Sequence, residues 1–440
     1  MTARLSIALL LLVALAACAP QAQPPVPTPT PPPVAVAPPP PPPLPVLGGE
    51  ADFQTFIRDF ETTATAAGIT PDTYNKAMAG IAPVTTLQQE IDNQPEFVRQ
   101  IWSYLDSAVS ARRVADARAM LTRYAGVLSG IETSSGVPKE ILVAIWGMES
   151  DYGSSIGDYN LFATLATQAW QGPRQQYARN ELLAALRLLE DQNYPISEMT
   201  SSWAGAFGQT QFMPSTFFKY ATDGDSDGKI DLWSSPADAL ASTAKLFAAE
   251  GWQTGKPWFY EVKLSKDFDL SLSDLDNTRP LSDWVAMSII TASGAALPQN
   301  SDSAALYLPA GARGPAFMLF DNFRVIMKYN NAAAYALAVG MLADRMAGDN
   351  AAAYKWPREE RALSRDERVQ FQTDLKTLGY DPGDTDGVLG RKTRSALKLY
   401  QKSKNLPADG FPTAELLPAL NSDVATIAVT GSTPVAPARD

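Results

Sequence analysis

Glu149 stands at the end of an apolar run, Ile141-Leu142-Val143-Ala144-Ile145-Trp146-Gly147-Met148, and its near neighbours are Trp146, Met148 and Tyr152 rather than a cation. A carboxyl at the edge of an apolar wall loses solvation of its charged form, so it can stay protonated at neutral pH and act as a general acid. Ile141, Leu142, Ile145 and Met148 recur at the spacing of a buried helix face, and Pro138 suits a first turn. The spacing therefore predicts a helix from about Pro138 that delivers Glu149 at its end. Taken alone, a glutamate near a helix end is ordinarily a solvated group. It gains weight from a second stretch about fifty residues on, Ser202-Trp203-Ala204-Gly205-Ala206-Phe207-Gly208-Gln209-Thr210-Gln211-Phe212-Met213-Pro214-Ser215, a glycine-interrupted turn stopped by proline.

Composition narrows the chemistry. The 440 residues include no histidine, which removes Ser-His-Asp and Cys-His nucleophilic catalysis and histidine-ligated zinc hydrolysis. Carboxylates remain as the acid–base groups, which points to glycosidase-like chemistry. A two-carboxylate glycosidase needs a partner acid about 5 to 9.5 Å away. Asp151 and Asp158 are the nearest in sequence, and both read as caps or solvated groups. The net charge of −11 argues against nucleic acid and gives no basic patch for anionic lipid.

The E-S-x-Y-G at Glu149 to Gly153, the A-G-A-x-G-x-x-Q-F-M-P-S-T at Ala204 to Thr216 and the Y-N at Tyr329-Asn330 resemble the membrane-bound lytic murein transglycosylase B family, over roughly Phe53 to Met346. The resemblance implies a lysozyme-like α+β catalytic domain with a helical N-terminal part. It also implies cleavage of the β-1,4 bond between N-acetylmuramic acid and N-acetylglucosamine in peptidoglycan, with formation of 1,6-anhydromuramic acid. One acid serves such enzymes as both acid and base, a role that falls on Glu149. By motif position Ser202, Gln211, Tyr329 and Asn330 would bind the sugars or orient Glu149, and Tyr104 would line the cleft. Leu246 departs from the pattern, since the family commonly carries a tyrosine there. A hydrolytic muramidase and a non-catalytic peptidoglycan-binding lipoprotein are the competing readings.

Asp223-Gly224-Asp225-Ser226-Asp227-Gly228-Lys229 follows the start of an EF-hand loop, with carboxylates at positions 1, 3 and 5, glycine at 6 and a backbone carbonyl, that of Lys229, at 7. Position 12 is Ser234 rather than glutamate, and the resemblance puts Asp238 in the place of the closing acid. A structural calcium ion is expected there. No cofactor is expected for the chemistry, because the loop's own ligands would saturate the ion.

The first 18 residues read as a secretory signal, and Leu15-Ala16-Ala17-Cys18 resembles a lipobox, with Cys18 the only cysteine in the chain. The resemblance implies a lipid-anchored periplasmic protein, with Ala19 leaning it toward the outer membrane. Residues 19–50 form a Pro-rich linker, expected as extended polyproline II at about 3.1 Å per residue. A catalytic domain follows over 51–355, with a long helical segment from about Pro95 to Leu121. Residues 362–423 carry Q-x-x-L-x-x-L-G-Y, D-G-x-x-G-x-x-T and L-P-x-D-G and resemble the small three-helix peptidoglycan-binding domain 1 family; the D-G loop at Asp386-Gly387 reads as a turn between helices. Such a module would keep the enzyme on the wall and raise its effective concentration. The tail over 424–440 is expected to be disordered. The whole is expected to be mainly α, with peptidoglycan strands as substrate and other cell-wall enzymes as protein partners.

Overall fold

The computed structural model describes residues 50–87, 100–192, 194–348 and 355–430. The signal sequence, Cys18 and the Pro-rich linker lie outside the described residues. Helix Glu50–Ala66 buries the stripe Phe53, Phe56, Ile57 and Phe60, and Thr70 caps the next helix, Pro71–Met78, by accepting from Thr73 N at 3.3 Å. The helical segment expected from Pro95 is corrected: the described part is two helices, Ile101–Ala108 and Ala111–Arg123, parted at Val109 where Ser110 caps the second. Local side-chain capping won over continuous helix propensity there.

The acid-bearing helix, Lys139–Ser150, is the centre of the body. Every residue from Ile141 to Gly147 is buried, so it is apolar all round rather than amphipathic, as a helix enclosed by others must be. Helices Ala111–Arg123, Ala125–Ser135, Pro236–Ala249 and Ala333–Ala347 pack against it. Helices Leu161–Gln171 and Gln175–Gln192 pair beside them.

Two sheets interrupt the helices. A small one pairs β1 (Tyr159–Asn160) with β2 (Thr200–Ser201), antiparallel, Tyr159 opposite Ser201. The larger has β3 (Phe259–Lys263), β4 (Thr278–Pro280), β5 (Ile290–Thr291), β6 (Ser303–Tyr307) and β7 (Ala316–Phe320), antiparallel in the order β4-β6-β7-β3-β5. β7 is buried throughout because its faces feed different cores: Phe317 and Leu319 join the helical core, while Ala316, Met318 and Phe320 join a second one with Val262, Trp284 and Leu306. Asn322, just past β7 and 1 % exposed, clamps the junction. Its Nδ2 donates to Gln253 O at 2.9 Å and Lys256 O at 2.8 Å, and its Oδ1 accepts from Gln253 N at 2.8 Å.

The C-terminal module packs Arg365–Thr377, Arg391–Ser403 and Leu417–Thr430 around Phe371, Leu375, Leu397, Tyr400 and Leu420. The tail expectation is corrected up to Thr430, where the third helix ends; residues 431–440 lie outside the described residues. Leu420 and Val424 on that helix pack into the module core, which a count of small polar residues did not reveal. The two D-G loops are turns pinned by buried glutamines. Gln372 Oε1 accepts from Gly387 N at 2.7 Å, and Gln401 Oε1 accepts from Gly410 N at 2.8 Å.

The module rests directly on the body. Phe411 lies 6.5 Å from Trp102, Ala312 N donates to Asp409 Oδ2 at 2.8 Å, Arg391 pairs with Asp276 at 3.0 Å, and Lys398 Nζ donates to Ser273 O. Replacing Asn322 by alanine would strand two buried carbonyls and an amide. The expected loss is about 2–3 kcal/mol, read as a lower urea midpoint with an unchanged slope.

Candidate active site

Glu149 is half-buried in the last turn of its helix. Its Oε1 accepts a hydrogen bond from the hydroxyl of Tyr335, which sits in the first turn of Ala333–Ala347. Tyr335 escaped the sequence reading; the signal that could have found it is a single large aromatic in an alanine-rich helix start, five residues past Asn330. Tyr329 ends helix Asp321–Tyr329, with its hydroxyl donating to Thr210 O and its ring edge-on to Phe247 at 5.8 Å. Burial first, and the charge of Glu149 second, hold the phenols of both tyrosines well above their ordinary 10.0. Tyr104, 8 % exposed in helix Ile101–Ala108, adds to the effect on Tyr335. Glu149, Tyr335 and Tyr329 thus share one electrostatic neighbourhood, in which both phenols remain neutral hydrogen-bond donors.

The two motifs around Glu149 and Gln211 are fastened main chain to side chain. Ser150 Oγ donates to Gln209 O at 2.5 Å and accepts from Gly153 N at 2.9 Å. Gln211, with a φ of 51°, donates through Nε2 to Ile156 O at 3.0 Å and Gly208 O at 2.9 Å. Gly157 has a φ of +91°, and a Cβ there would lie 2.3 Å from Ser201 O, so only glycine lets this loop meet the strand that leads to Ser202. Ser202 N and Oγ both donate to Ala206 O, at 2.8 and 3.2 Å. Asn330 caps helix Asp321–Tyr329 in an extended conformation and turns the chain toward Tyr335. Of the sequence-derived residues, Tyr329 feels the charge of Glu149 and Tyr104 lies near Tyr335, whereas the Ser202 and Gln211 side chains hold the loops together.

The nearer acids are placed for other work. Asp151 takes the left-handed cap position, φ 48°, and pairs with Arg112 at 3.2 Å and Arg113 at 3.8 Å. Asp158 is exposed, and it is Asn160, not Asp158, that caps Leu161–Gln171, accepting from Ala163 N at 2.9 Å.

Asp223, Asp225 and Asp227 bring carboxylate oxygens within 4.8 Å of one another, a donor set of hard oxygens that fits a calcium ion. Lys229 N donates to Asp227 Oδ1 at 2.8 Å. Asp238, 1 % exposed, accepts from Gly224 N and Asp231 N, each at 2.7 Å, and so ties the two ends of the loop; burial holds its carboxyl above the ordinary 3.8 against those bonds. The loop leads straight into the active-site turn. Gln209 N donates to Leu232 O at 2.8 Å, Gln209 Nε2 to Trp233 O at 3.2 Å, and Trp233 stacks on Phe207 at 4.3 Å.

Residues 52–344 match the family of the Transglycosylase SLT domain, and residues 364–420 match a peptidoglycan binding domain. The chain is 28% identical to membrane-bound lytic murein transglycosylase B of Escherichia coli K12 over 290 residues, 63% of this chain and 74% of that one. Among solved structures it resembles SltB3 of Pseudomonas aeruginosa, crystallised with NAG-anhNAM-pentapeptide, at 45% identity and a TM-score of 0.80, covering 84% of this chain and 99% of that one. It also resembles the lytic transglycosylase Slt35 of Escherichia coli, crystallised with calcium, at 26% identity and a TM-score of 0.59, covering 69% of this chain and 94% of that one. The fold is therefore the mainly helical, lysozyme-like one that the motifs implied, with a helical wall-binding module at the C-terminus. One half-buried carboxyl among tyrosines, in a domain matched over most of its length, makes the chain a member of the transglycosylase SLT family: a lytic murein transglycosylase, an enzyme acting on peptidoglycan.

Proposed function

We propose that Glu149 is the single acid and base of a non-hydrolytic cleavage between N-acetylmuramic acid and N-acetylglucosamine. The observation that carries this reading is the pairing of Glu149 Oε1 with the Tyr335 hydroxyl while Asp151 is engaged by Arg112 and Arg113. With Oε1 accepting from Tyr335, the transferable proton sits on Oε2. That proton goes to the glycosidic oxygen as the bond to muramic C1 breaks, and the oxocarbenium-like centre keeps its positive charge beside the new carboxylate. The carboxylate then takes the proton of the muramic 6-hydroxyl, whose oxygen closes onto C1. The products are a 1,6-anhydro ring and a free N-acetylglucosamine hydroxyl; Glu149 is protonated again and no water is consumed.

In the same reading Ser202, Gln211, Tyr329, Asn330 and Tyr104 form the saccharide cleft. Gln211 gives its Nε2 hydrogens to loop carbonyls, so its Oε1 is the atom it offers to a sugar hydroxyl. Asp223, Asp225 and Asp227, with the Lys229 carbonyl and the buried Asp238, would hold a structural calcium ion, which would brace the turn at Gln209 and take no part in the chemistry. The protein acts in the periplasm, anchored by a lipid on Cys18 to the outer membrane, with residues 19–50 as the spacer between anchor and enzyme. Among the described residues no helix is long and apolar enough to cross a membrane.

Digestion of purified sacculi by the chain lacking residues 1–49, followed by mass spectrometry, should release anhydromuramyl ends that vanish with Glu149→Gln. Reducing ends one water heavier would instead identify a muramidase, and release that survives Glu149→Gln would remove the acid from its role. Tyr335→Phe should lower kcat about ten- to a hundredfold with KM nearly unchanged, because it loosens the acid without touching the sugar. Calcium should raise the melting temperature of the wild-type chain and leave that of Asp225→Ala unmoved; calorimetry with and without chelator reads both.

A further inference from the structure

Where the module meets the body there is a groove of about 360 Å³. Its body wall includes Asn331 to Ala334, with Met327 and Tyr307 beside them; its module wall includes Leu389, Arg394 and Phe411. The segment Asn331–Ala334 lies between Tyr329, whose phenol feels the charge of Glu149, and Tyr335, whose hydroxyl donates to it. The groove thus borders the segment that carries both tyrosines.

Its charge is unusual for so acidic a protein. Of the guanidinium groups that line it, Arg361 pairs with Glu367 at 2.7 Å, Arg391 with Asp276 at 3.0 Å, and Arg368 donates to Gly387 O at 2.6 Å and Leu363 O at 3.0 Å. Glu360, the acid of the groove, pairs with Arg313. Arg394 differs. It is half-buried with its guanidinium 5.7 Å from the centre of the Phe411 ring, and no ion-pair partner faces it among the described residues. The Tyr307 phenol stands close to it: burial pushes that phenol up and the charge of Arg394 opposes the shift. A planar cation over an aromatic ring, in a groove that also holds a neutral phenol donor and the apolar Met327 and Leu389, suits a carboxylate that arrives on a partly apolar chain.

We infer that this junction groove binds the stem peptide of the glycan strand, with Arg394 and Tyr307 taking a free carboxylate of that peptide. This rests on the reading of Glu149 as the acid that cleaves next to muramic acid. Muramic acid is the sugar that bears the peptide, so the peptide leaves the strand at the very residue seated by Glu149. Asn331, in the wall of the groove, is bonded to Asn330 of the proposed cleft, so groove and cleft adjoin there. The module then contributes a specificity-determining residue rather than wall affinity alone.

The test compares NAG-NAM-pentapeptide with peptide-free NAG-NAM. Binding is measured by calorimetry on the Glu149→Gln chain, with and without Arg394→Ala, so that no cleavage is needed. Arg394→Ala should lower the ratio of the two affinities about tenfold, the scale of one charge-assisted bidentate contact. Arg394→Lys, which keeps charge but loses the fork, should fall between. A ratio unchanged in Arg394→Ala would overturn the assignment, as would an equal loss for both ligands, since the latter marks a merely structural role. Should Arg394→Ala lower the melting temperature, Tyr307→Phe replaces it, with a smaller fall in the same ratio expected and no change counting against. Anhydro product from wild type with an unaltered ratio sinks the groove alone; loss of the ratio in a chain that makes no anhydro product sinks the mechanism alone.

Discussion

If one carboxyl runs the reaction, as proposed for Glu149, no second group compensates when it wanders, and the hydroxyl of Tyr335 on Glu149 Oε1 is the contact on which the rest depends. It joins residues 186 positions apart, so it exists only when the helix Lys139–Ser150 and the helix Ala333–Ala347 are correctly packed. The burial of Ile141 through Gly147 on all sides is the means: a helix enclosed by others cannot rotate or slide without opening a cavity, which is costly in a close-packed interior. Core packing and the placing of this carboxyl are in this sense one constraint. The phenol also suits the task chemically, because burial and the neighbouring carboxyl raise it well above its ordinary 10.0 and keep it a neutral donor at neutral pH.

The same constraint explains why the conspicuous motifs are rich in glycine and short polar residues. Catalysis by positioning needs loops tied closely together, and short or buried side chains that bond to main-chain carbonyls have few rotamers to lose. Ser150 reaches Gln209, Gln211 reaches Ile156, and Gly157 lies against Ser201. Tyr329 closes the set by donating to Thr210 O. Beneath the turn, Leu232 and Trp233 join it to the acidic loop, whose two ends Asp238 ties together from a buried position. A cation there would act at a distance, by stiffening the support of Gln209.

The legible part of the site was the part encoded in contiguous residues. Glu149 could be read from its apolar approach, and the absence of histidine directed the chemistry to carboxylates before any family was considered. Tyr335 could not be read, because its role is created by helix packing and its sequence neighbours are alanines. The five-stranded sheet was equally hidden. β7 reads Ala-Phe-Met-Leu-Phe without alternation because each face is buried in a different core, and β5 has two residues, too few to leave a pattern. Boundaries failed for local reasons: Ser110 caps a new helix inside the run expected from Pro95, and the third helix of the module runs on through polar and small residues to Thr430.

The module also changes meaning once its docking is considered. A binding domain on a flexible linker works through effective concentration, and its benefit falls away when linker and site do not match in length. Here Phe411 meets Trp102, Asp409 accepts from Ala312 N, and Lys398 reaches the carbonyl of Ser273, so three separated points fix the module in angle as well as in distance. A fixed module cannot search the wall independently of the active site; whatever it holds must already be in register with Glu149. The cost is adaptability to irregular wall. The gain is that the module and the body present one continuous surface, so that a strand held by the module would meet the body in a fixed orientation.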